Sequence, residues 1–393
     1  MRNRHGLLYF GLVIVLVLLR APTLLVLAVV FLYMAWLGLR RSDGMASVSL
    51  SVDAALPDAE RMAAIDDRFA ALSEAGDFNG GVLIARAGEP VLMQTYGSAD
   101  LKGERALTTA TPFRLASVSK QFTAAAVLTL VRDERLGLDD EAVGLLPDLP
   151  YPGVTVRHLL NQTSGIPDRY MQLAKKHRRA LGGRLRIADV PSLLAKAQYR
   201  NHRTPGSRYA YSNTDYVLAA GVVEAVSGST FEAYLKSALF DPLGMTHARV
   251  WTQESKDDFP ERALDFLQYG SKDSLPLEPE WFDGVAGDGG VFASLEDLLV
   301  WERFWREPEL VPAELAELCF RAPTLANGEP SDYGFGWAGV PDQPWHNGAW
   351  LGARTFVARD LTNDGWLAVL DNSMNANAEV LALELLGHVR ALA

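Results

Sequence analysis

A serine and a lysine three residues apart, Ser117 and Lys120, open an alanine-rich stretch that favours a helix. Residues three apart on a helix share a face, so the hydroxyl and the amine are expected side by side. A serine hydroxyl needs a neighbouring base to become a nucleophile, and a lysine is such a base only where burial or nearby positive charge favours its neutral form. The pair indicates nucleophilic catalysis, although solvated helix positions commonly have the same spacing.

Two further short motifs follow along the chain. Tyr211-x-Asn213 comes after a proline-glycine turn and before a helical pattern, which predicts a loop-to-helix junction facing a cleft. His346-x-Gly348 precedes a strand-like run, and its glycine is expected to let a substrate carbonyl approach the strand backbone. Taken singly, Tyr211 could be a core aromatic, Asn213 a helix cap and His346 a turn residue. The coincidence of three motifs favours one catalytic site.

With these motifs the chain resembles the serine β-lactamase and penicillin-binding-protein superfamily, and within it the class C β-lactamase-like serine hydrolases and esterases. The signature of that superfamily is Ser-x-x-Lys, then Tyr-x-Asn, then Lys/His-x-Gly, and the three motifs match it in order. Residues 162–166 resemble its Thr-Ser-Gly loop, residues 242–245 its Pro-Leu-Gly-Met turn, and residues 286–294 its glycine-rich stretch. The resemblance covers nearly all of the chain from about residue 58 onward.

The fold implied by the resemblance is α+β, with an antiparallel sheet flanked by helices, an inserted all-helical lobe, and the active site where the two meet. The hydrophobic pattern agrees, because strand-like segments lie near both ends of the chain and a helix-rich middle separates them. An amphipathic helix is predicted from Asp58, with an apolar face at Met62, Ile65, Phe69 and Leu72. Strands are predicted at 80–87, 90–97, 333–339, 353–359 and 366–371, and a final helix at 378–392.

The resemblance also implies roles for the motif residues. Ser117 would attack a carbonyl carbon to form an acyl-enzyme, while Lys120 and Tyr211 would move its proton to the leaving group. Asn213 would hold Lys120 or the substrate amide by hydrogen bonds. The backbone N–H groups of Ser117 and Ala349 would form an oxyanion hole.

His346 stands where true lactamases and transpeptidases more often have a lysine. A histidine is only partly charged near neutral pH, so we expect a weak, pH-dependent grip on a substrate carboxylate. This difference favours an ester, an amide or a D-amino-acid or peptidoglycan-like peptide as substrate over efficient β-lactam hydrolysis. Two alternatives remain open: a β-lactamase or DD-carboxypeptidase proper, and a non-catalytic cell-wall binder or sensor of the same fold.

Composition narrows the possible partners. Five of the 37 basic residues and none of the 48 acidic ones lie in the first 41 positions, so the remaining chain has a formal charge of −16. An acidic body argues against nucleic acid, which needs a basic surface. No metal-ligand spacing or cofactor motif is present, so no metal and no cofactor are predicted. Cys319 is the only cysteine, which excludes an internal disulfide, and it is expected to be packed.

Residues 1–41 are predicted to be a membrane anchor. The segments 7–19 and 21–39 are almost wholly apolar, and the second has the roughly 20 residues needed to cross a bilayer. Either one span with an N-terminal extension or a helical hairpin turning at 20–22 is possible, because arginines flank both ends. Residues 42–57 are interpreted as a linker and 58–393 as the hydrolase domain. By resemblance the catalytic domain is expected on the extracytoplasmic, periplasmic side, whereas a hairpin would reverse this. The oligomeric state is left open.

Overall fold

Residues 48–197, 203–255, 258–269, 273–307 and 310–392 are described by a computed structural model. The predicted anchor, residues 1–41, and the first part of the predicted linker lie outside these ranges. In the ranges that are described, no helix combines the length and the apolar character that crossing a bilayer requires. Chain contacts divide at residue 49, and the fold described below belongs to the unit that begins at Leu50.

The described chain contains both long elements and very short ones. The strands within the described ranges are β1 (Gly80–Arg86), β2 (Glu89–Tyr96), β3 (Phe113–Arg114), β4 (Arg249–Val250), β5 (Phe266–Tyr269), β6 (Asp273–Pro276), β7 (Val291–Ala293), β8 (Trp345–Trp350), β9 (Ala353–Asp360) and β10 (Gly365–Asp371). The α-helices there are α1 (Asp58–Ala75), α2 (Ser119–Arg132), α3 (Ala142–Leu145), α4 (Val156–Leu160), α5 (Tyr170–Lys176), α6 (Asp189–Ala197), α7 (Asn213–Ser227), α8 (Phe231–Leu235), α9 (Asp241–Leu243), α10 (Leu295–Arg306), α11 (Ala313–Ala316) and α12 (Asn377–Arg390).

The main sheet is antiparallel and joins the two ends of the described chain. Its strand order is β2-β1-β10-β9-β8, and β1 pairs with β10 so that Gly80 lies opposite Asp371 and Arg86 opposite Gly365. All of β10 and almost all of β1 are buried, which explains why both strands are nearly continuous apolar runs. The predicted antiparallel arrangement of strands from distant segments is confirmed.

One predicted strand is wrong, and one observed strand was not predicted. Segment 333–339 makes only isolated bridges, because Gly336 and Gly339 take φ values of 79° and 69°, which interrupt an extended chain. The motif His346-x-Gly348 precedes a strand, β9, as predicted, but it also lies inside the unpredicted strand β8, where Trp345 pairs with Ala358 of β9. Pairing with a neighbouring strand has overridden the low strand propensity of asparagine and glycine.

Helix α2 lies at the centre of the unit, and its residues from Ser119 to Leu130 are all buried. It packs against α7, while the 3₁₀ turn just before it, Ala116–Val118, packs against β8 and β9. The start of α2, the start of α7 and strand β8 therefore meet at one place. These are the elements that contain the three motifs.

Candidate active site

Ser117 and Lys120 are adjacent at the N-terminal end of α2. Ser117 lies in the 3₁₀ turn, and Lys120 lies in the first turn of the helix. Ala116 takes a φ of 48°, an uncommon backbone conformation directly before the serine. Lys120 Nζ is 3.2 Å from Ser117 Oγ. The structure thus brings the hydroxyl and the amine into hydrogen-bond contact, as the spacing predicts.

The amine of Lys120 has two further partners, and both are carbonyl oxygens. Nζ donates to Asn213 Oδ1 and to the backbone oxygen of Asp288, each at 2.9 Å. A carbonyl oxygen can only accept, so these contacts use two N–H groups of the amine. The remaining position faces Ser117: a protonated amine would donate there, and a neutral amine would present its lone pair to the serine hydroxyl. The arrangement can therefore receive the proton of Ser117.

Tyr211 lies next to this pair, just before α7. Its ring centroid is 5.0 Å from Lys120 Nζ, and its side chain is 42% exposed. Its ring also meets that of Tyr333 edge-on, with centroids 6.4 Å apart. The hydroxyl of Tyr211 makes no hydrogen bond to Ser117 or Lys120, all three being residues that the structure describes. Its role as a proton carrier stays a prediction.

The loop that resembles the Thr-Ser-Gly loop holds the start of α7 in place. Gln162 Oε1 accepts a hydrogen bond from Ser212 N at 2.8 Å, and Ser212 Oγ in turn caps α7 by accepting from Asp215 N at 3.1 Å. Ser164 Oγ lies 2.7 Å from Asp215 Oδ1, and burial raises the pKa of Asp215 well above its usual range. These contacts fix Asn213, which is the first residue of α7 and a partner of Lys120.

His346 is placed differently from the expectation of a partly charged carboxylate binder. It is 2% exposed, its Nδ1 is 2.6 Å from the backbone oxygen of Asn347, and its Nε2 is 3.0 Å from the hydroxyl of Tyr333. Because the carbonyl only accepts, Nδ1 carries the proton and Nε2 accepts from Tyr333. Burial, and then the charge of Lys120, lower the pKa of His346 to about 3. The expected partial charge is wrong, since a neutral buried imidazole offers a carboxylate no electrostatic attraction.

Gly348 serves a close contact between β8 and the serine turn. A Cβ atom there would lie 2.3 Å from Thr355 Oγ1, 2.5 Å from the backbone oxygen of Leu115 and 3.0 Å from Ser117 N. The glycine is therefore needed for contacts within the protein, and the expected approach of a substrate carbonyl to the strand backbone stays a prediction. The next residue, Ala349, is exposed and lines the same cavity as Ser117. The oxyanion role of their N–H groups stays a prediction.

A partly open cavity of about 80 Å³ lies beside Ser117. Besides Ser117 and Ala349, its lining combines apolar and polar residues from six segments of the chain: Arg114, Ala116, Tyr170, Met171, Asn213, Trp251, Asp283, Val285, Asp288, Gly289, Gly290 and Trp350. Neither Tyr211 nor His346 contributes to this lining.

Two lining residues have roles that sequence reasoning missed. The backbone oxygen of Asp288 binds Lys120, and its carboxylate accepts a hydrogen bond from the Tyr170 hydroxyl at 2.8 Å. Burial raises the pKa of both side chains. The only signal for Asp288 in the sequence is its position in a glycine-rich segment, and Tyr170 has none.

In the part of the chain that is described, no group of three or more histidine, cysteine or acidic side chains could hold a metal ion. Cys319 is fully buried, and burial raises the pKa of its thiol. A packed, protonated thiol agrees with the expected structural role.

Comparison with known proteins gives a consistent result. The model of the family described as Beta-lactamase matches residues 65–389. Penicillin-binding protein 4* of Bacillus subtilis (strain 168) is 34% identical over 327 residues, which are 77% of this chain and 70% of that protein. A D-aminopeptidase of Gluconobacter oxydans (strain 621H) is 28% identical over 78% of this chain but only 58% of its own length. The chain therefore spans little more than half of that second relative.

Solved structures show the same fold. A penicillin-binding protein from Bacillus halodurans superposes with a TM-score of 0.67 at 25% identity, over 80% of this chain and 98% of that one. The D-amino acid amidase from Ochrobactrum anthropi SV3 has a TM-score of 0.63 at 21% identity, over 83% and 97% of the two chains, and that likeness concerns the fold alone. Since a family model matches from α1 to α12 and a relative is more than 30% identical over most of its length, the chain belongs to the Beta-lactamase family and is a serine hydrolase.

Proposed function

We propose that the chain is a membrane-anchored hydrolase that cleaves an amide, an ester or a D-amino-acid peptide through an acyl-enzyme on Ser117. The observation that carries this proposal is the contact of 3.2 Å between Lys120 Nζ and Ser117 Oγ, a serine that lines a cavity. Two carbonyl oxygens orient the amine, which leaves its third position for the serine proton. A nucleophile needs such a positioned base.

In the proposed reaction Ser117 Oγ forms a bond to the substrate carbonyl carbon while its proton passes to Lys120 Nζ. The backbone N–H groups of Ser117 and Ala349 would stabilise the resulting oxyanion. Tyr211 would carry the proton to the leaving group as the carbon–nitrogen or carbon–oxygen bond breaks. Water would then hydrolyse the acyl-enzyme and regenerate the serine.

Substrates without a carboxylate beside the scissile bond are favoured. Penicillins and D-Ala-D-Ala peptides carry such a carboxylate, and a site for them needs an available cation. His346 is neutral, and Arg114, the only cation in the described lining, is paired with Asp265 at 2.7 Å. Relatives named D-aminopeptidase support a D-amino-acid peptide, whereas the relative named penicillin-binding protein 4* supports the alternative of a penicillin-reactive enzyme.

The location is part of the proposal. The apolar segments between residues 7 and 39 would hold the chain in a membrane, with the hydrolase domain on the extracytoplasmic side. On that side the substrate would be a peptide or amide of the cell envelope.

Covalent labelling tests the mechanism. A fluorescent fluorophosphonate is expected to label the wild type and Ser192→Ala, a serine in α6 away from the cavity, but not Ser117→Ala. Equal labelling of the Ser117→Ala protein would remove Ser117 from its role, and a wild type that is not labelled would favour the binder or sensor. Parallel assays with p-nitrophenyl acetate, D-alanine p-nitroanilide, a chromogenic cephalosporin and a D-Ala-D-Ala peptide would then rank the substrate classes.

A further inference from the structure

The cavity lining contains more acidic than basic side chains. Three lining residues that the structure describes are formally charged: Arg114, Asp283 and Asp288. The guanidinium of Arg114 is already paired with Asp265, with both side chains almost fully buried, and it stacks over the ring of Phe292 at 4.7 Å. The lining thus contains two carboxylates and one guanidinium, and that guanidinium already forms an ion pair with Asp265.

Neutral groups hold both carboxylates in position. Asp288 Oδ2 accepts from the Tyr170 hydroxyl at 2.8 Å, and Asp283 Oδ1 accepts from Trp350 Nε1 at 2.8 Å. Neither carboxylate forms an ion pair with a cation in the described ranges. Burial raises the pKa of both groups, and the nearby positive charges counteract only part of that rise. A cation entering the cavity would therefore be stabilised by two partly buried, preoriented acceptors.

Of the two acids, Asp288 is the one that is connected to the reacting groups by hydrogen bonds. Its backbone oxygen binds the same Lys120 amine that contacts Ser117. In an α-amino acid amide or peptide, the amino group is one carbon away from the carbonyl that a nucleophile attacks. An acid on the same residue whose backbone oxygen binds the base is thus suited to hold that amino group. The aromatic ring of Trp350 in the same lining suits a cation as well.

We propose that the cavity selects substrates with a free, positively charged α-amino group, which the carboxylate of Asp288 binds and the carboxylate of Asp283 attracts. This inference rests on the proposed function, because it takes the cavity beside Ser117 as the substrate site. It makes the enzyme one that acts at an amino-terminal residue or on an amino acid amide. An N-acylated substrate would leave both partly buried carboxylates without a counterion.

The test measures binding without turnover. In the full-length Ser117→Ala protein, calorimetry would compare D-phenylalanine amide with 3-phenylpropanamide, which is the same molecule without the amino group. The amine is expected to bind about 10- to 100-fold more tightly, the range for a hydrogen bond to a charged group. Adding Asp288→Asn is expected to abolish that preference, and Asp283→Asn to reduce it, with the affinity for 3-phenylpropanamide unchanged.

Glu278→Gln is the matched control, because it removes one negative charge from the same segment but is exposed and lies outside the cavity lining. It is expected to keep the preference for the amine. The inference would be overturned if the two ligands bound equally well or if the amine did not bind. It would also be overturned if the preference for the amine survived both asparagine changes. An equal loss for both ligands in Asp288→Asn would overturn it too, because that result would mark a structural role. The proposed function would fail on other results: a fluorophosphonate that does not label Ser117 in the wild type, and a wild type that turns over none of the assayed substrates.

Discussion

The imidazole of His346 forms no hydrogen bond with Ser117 or Lys120, but its ring lies beside that of Tyr211, with centroids 6.2 Å apart. Its Nε2 accepts from the hydroxyl of Tyr333, whose ring stacks on Tyr209 with centroids 5.7 Å apart and meets Tyr211 edge-on. Burial raises the pKa of Tyr333, which keeps its hydroxyl protonated and able to donate. His346 thus supports the aromatic cluster against which Tyr211 lies. A histidine can therefore occupy the position of a lysine without taking over its charge.

The burial of His346 leads us to a prediction about how the stability of the protein depends on pH. The pKa of His346 in the folded protein, about 3, lies below the ~6.5 of an exposed histidine. Between these values the unfolded chain binds a proton that the folded chain does not, so acid favours unfolding by at most about 1.4 kcal/mol per pH unit. We expect His346→Gln, which keeps an acceptor for Tyr333, to lose less stability than the wild type between pH 7 and pH 5. Urea unfolding at both values measures this.

Other groups titrate in the same range, so only the difference between the two proteins is informative. Burial raises the pKa of Asp371 to about 6, and this acts in the opposite direction, because the folded protein then binds a proton more tightly than the unfolded chain. Because Asp371 is present in both proteins, its contribution cancels when their stabilities are compared. Parallel stability curves for wild type and variant would contradict a neutral, buried His346.

Sequence reasoning at the residue scale succeeded where the geometry is local. The contact of Ser117 with Lys120 follows from helical spacing alone, and the motif match brought in Asn213. The roles of Asp288 and Tyr170 depend on how distant segments approach one another, which no spacing reveals. The residue type of His346 was visible, but its protonation was not, because burial is a property of the whole fold.

At the scale of elements, hydrophobic periodicity gave the clearest results. Helix α1 buries Met62, Ile65, Phe69 and Leu72, the apolar face that the sequence predicts. Strand β8 was missed because its residues, Trp-His-Asn-Gly-Ala-Trp, have no alternating pattern. It forms because β9 offers a pairing edge and because a glycine lets the serine turn pack against it. A strand of this kind is defined by its neighbours.

Gly348→Ala tests that packing. The added Cβ would lie within 3.0 Å of Thr355 Oγ1, the Leu115 oxygen and Ser117 N, and two of these are backbone atoms that cannot move aside alone. We expect β8 and the serine turn to separate, with a loss of about 1–3 kcal/mol in the free energy of unfolding. A displaced nucleophile is expected to lower kcat/KM for p-nitrophenyl acetate about 100-fold. Urea unfolding and steady-state kinetics measure the two effects.

Gly387→Ala is the control for this change. Gly387 lies inside α12, and a Cβ there would meet nothing within 4 Å. Alanine in a helix interior is expected to add up to about 1 kcal/mol of stability and to leave the kinetics unchanged. Wild-type kinetics in Gly348→Ala would show that the serine turn does not depend on the close approach to β8.

For the whole molecule, the main sheet joins the first and last parts of the unit that begins at Leu50. Pairing of β1 with β10 brings together segments almost three hundred residues apart, and α1 contacts the residue that follows α12. Leu50 N donates to Glu384 Oε2 at 2.6 Å, and the guanidinium of Arg61 donates to the backbone oxygen of Ala391 at 3.0 Å. The strands predicted at both ends were enough to infer one sheet. The sequence did not show which strands pair with each other, because register depends on tertiary contacts.

The last prediction concerns the apolar segment before this unit. A chain beginning at residue 48 retains the contacts of Leu50 and Arg61 and loses every residue of the predicted anchor. We expect the full chain to sediment with membranes and to resist both high salt and alkaline carbonate, since apolar burial, unlike surface charge attraction, is not screened by salt. The shortened chain is expected in the soluble fraction, with the same kcat/KM for p-nitrophenyl acetate and an unchanged midpoint of urea unfolding. Release of the full chain by salt alone would point to electrostatic attachment, and loss of activity in the shortened chain would mean that the hydrolase domain needs residues before 48.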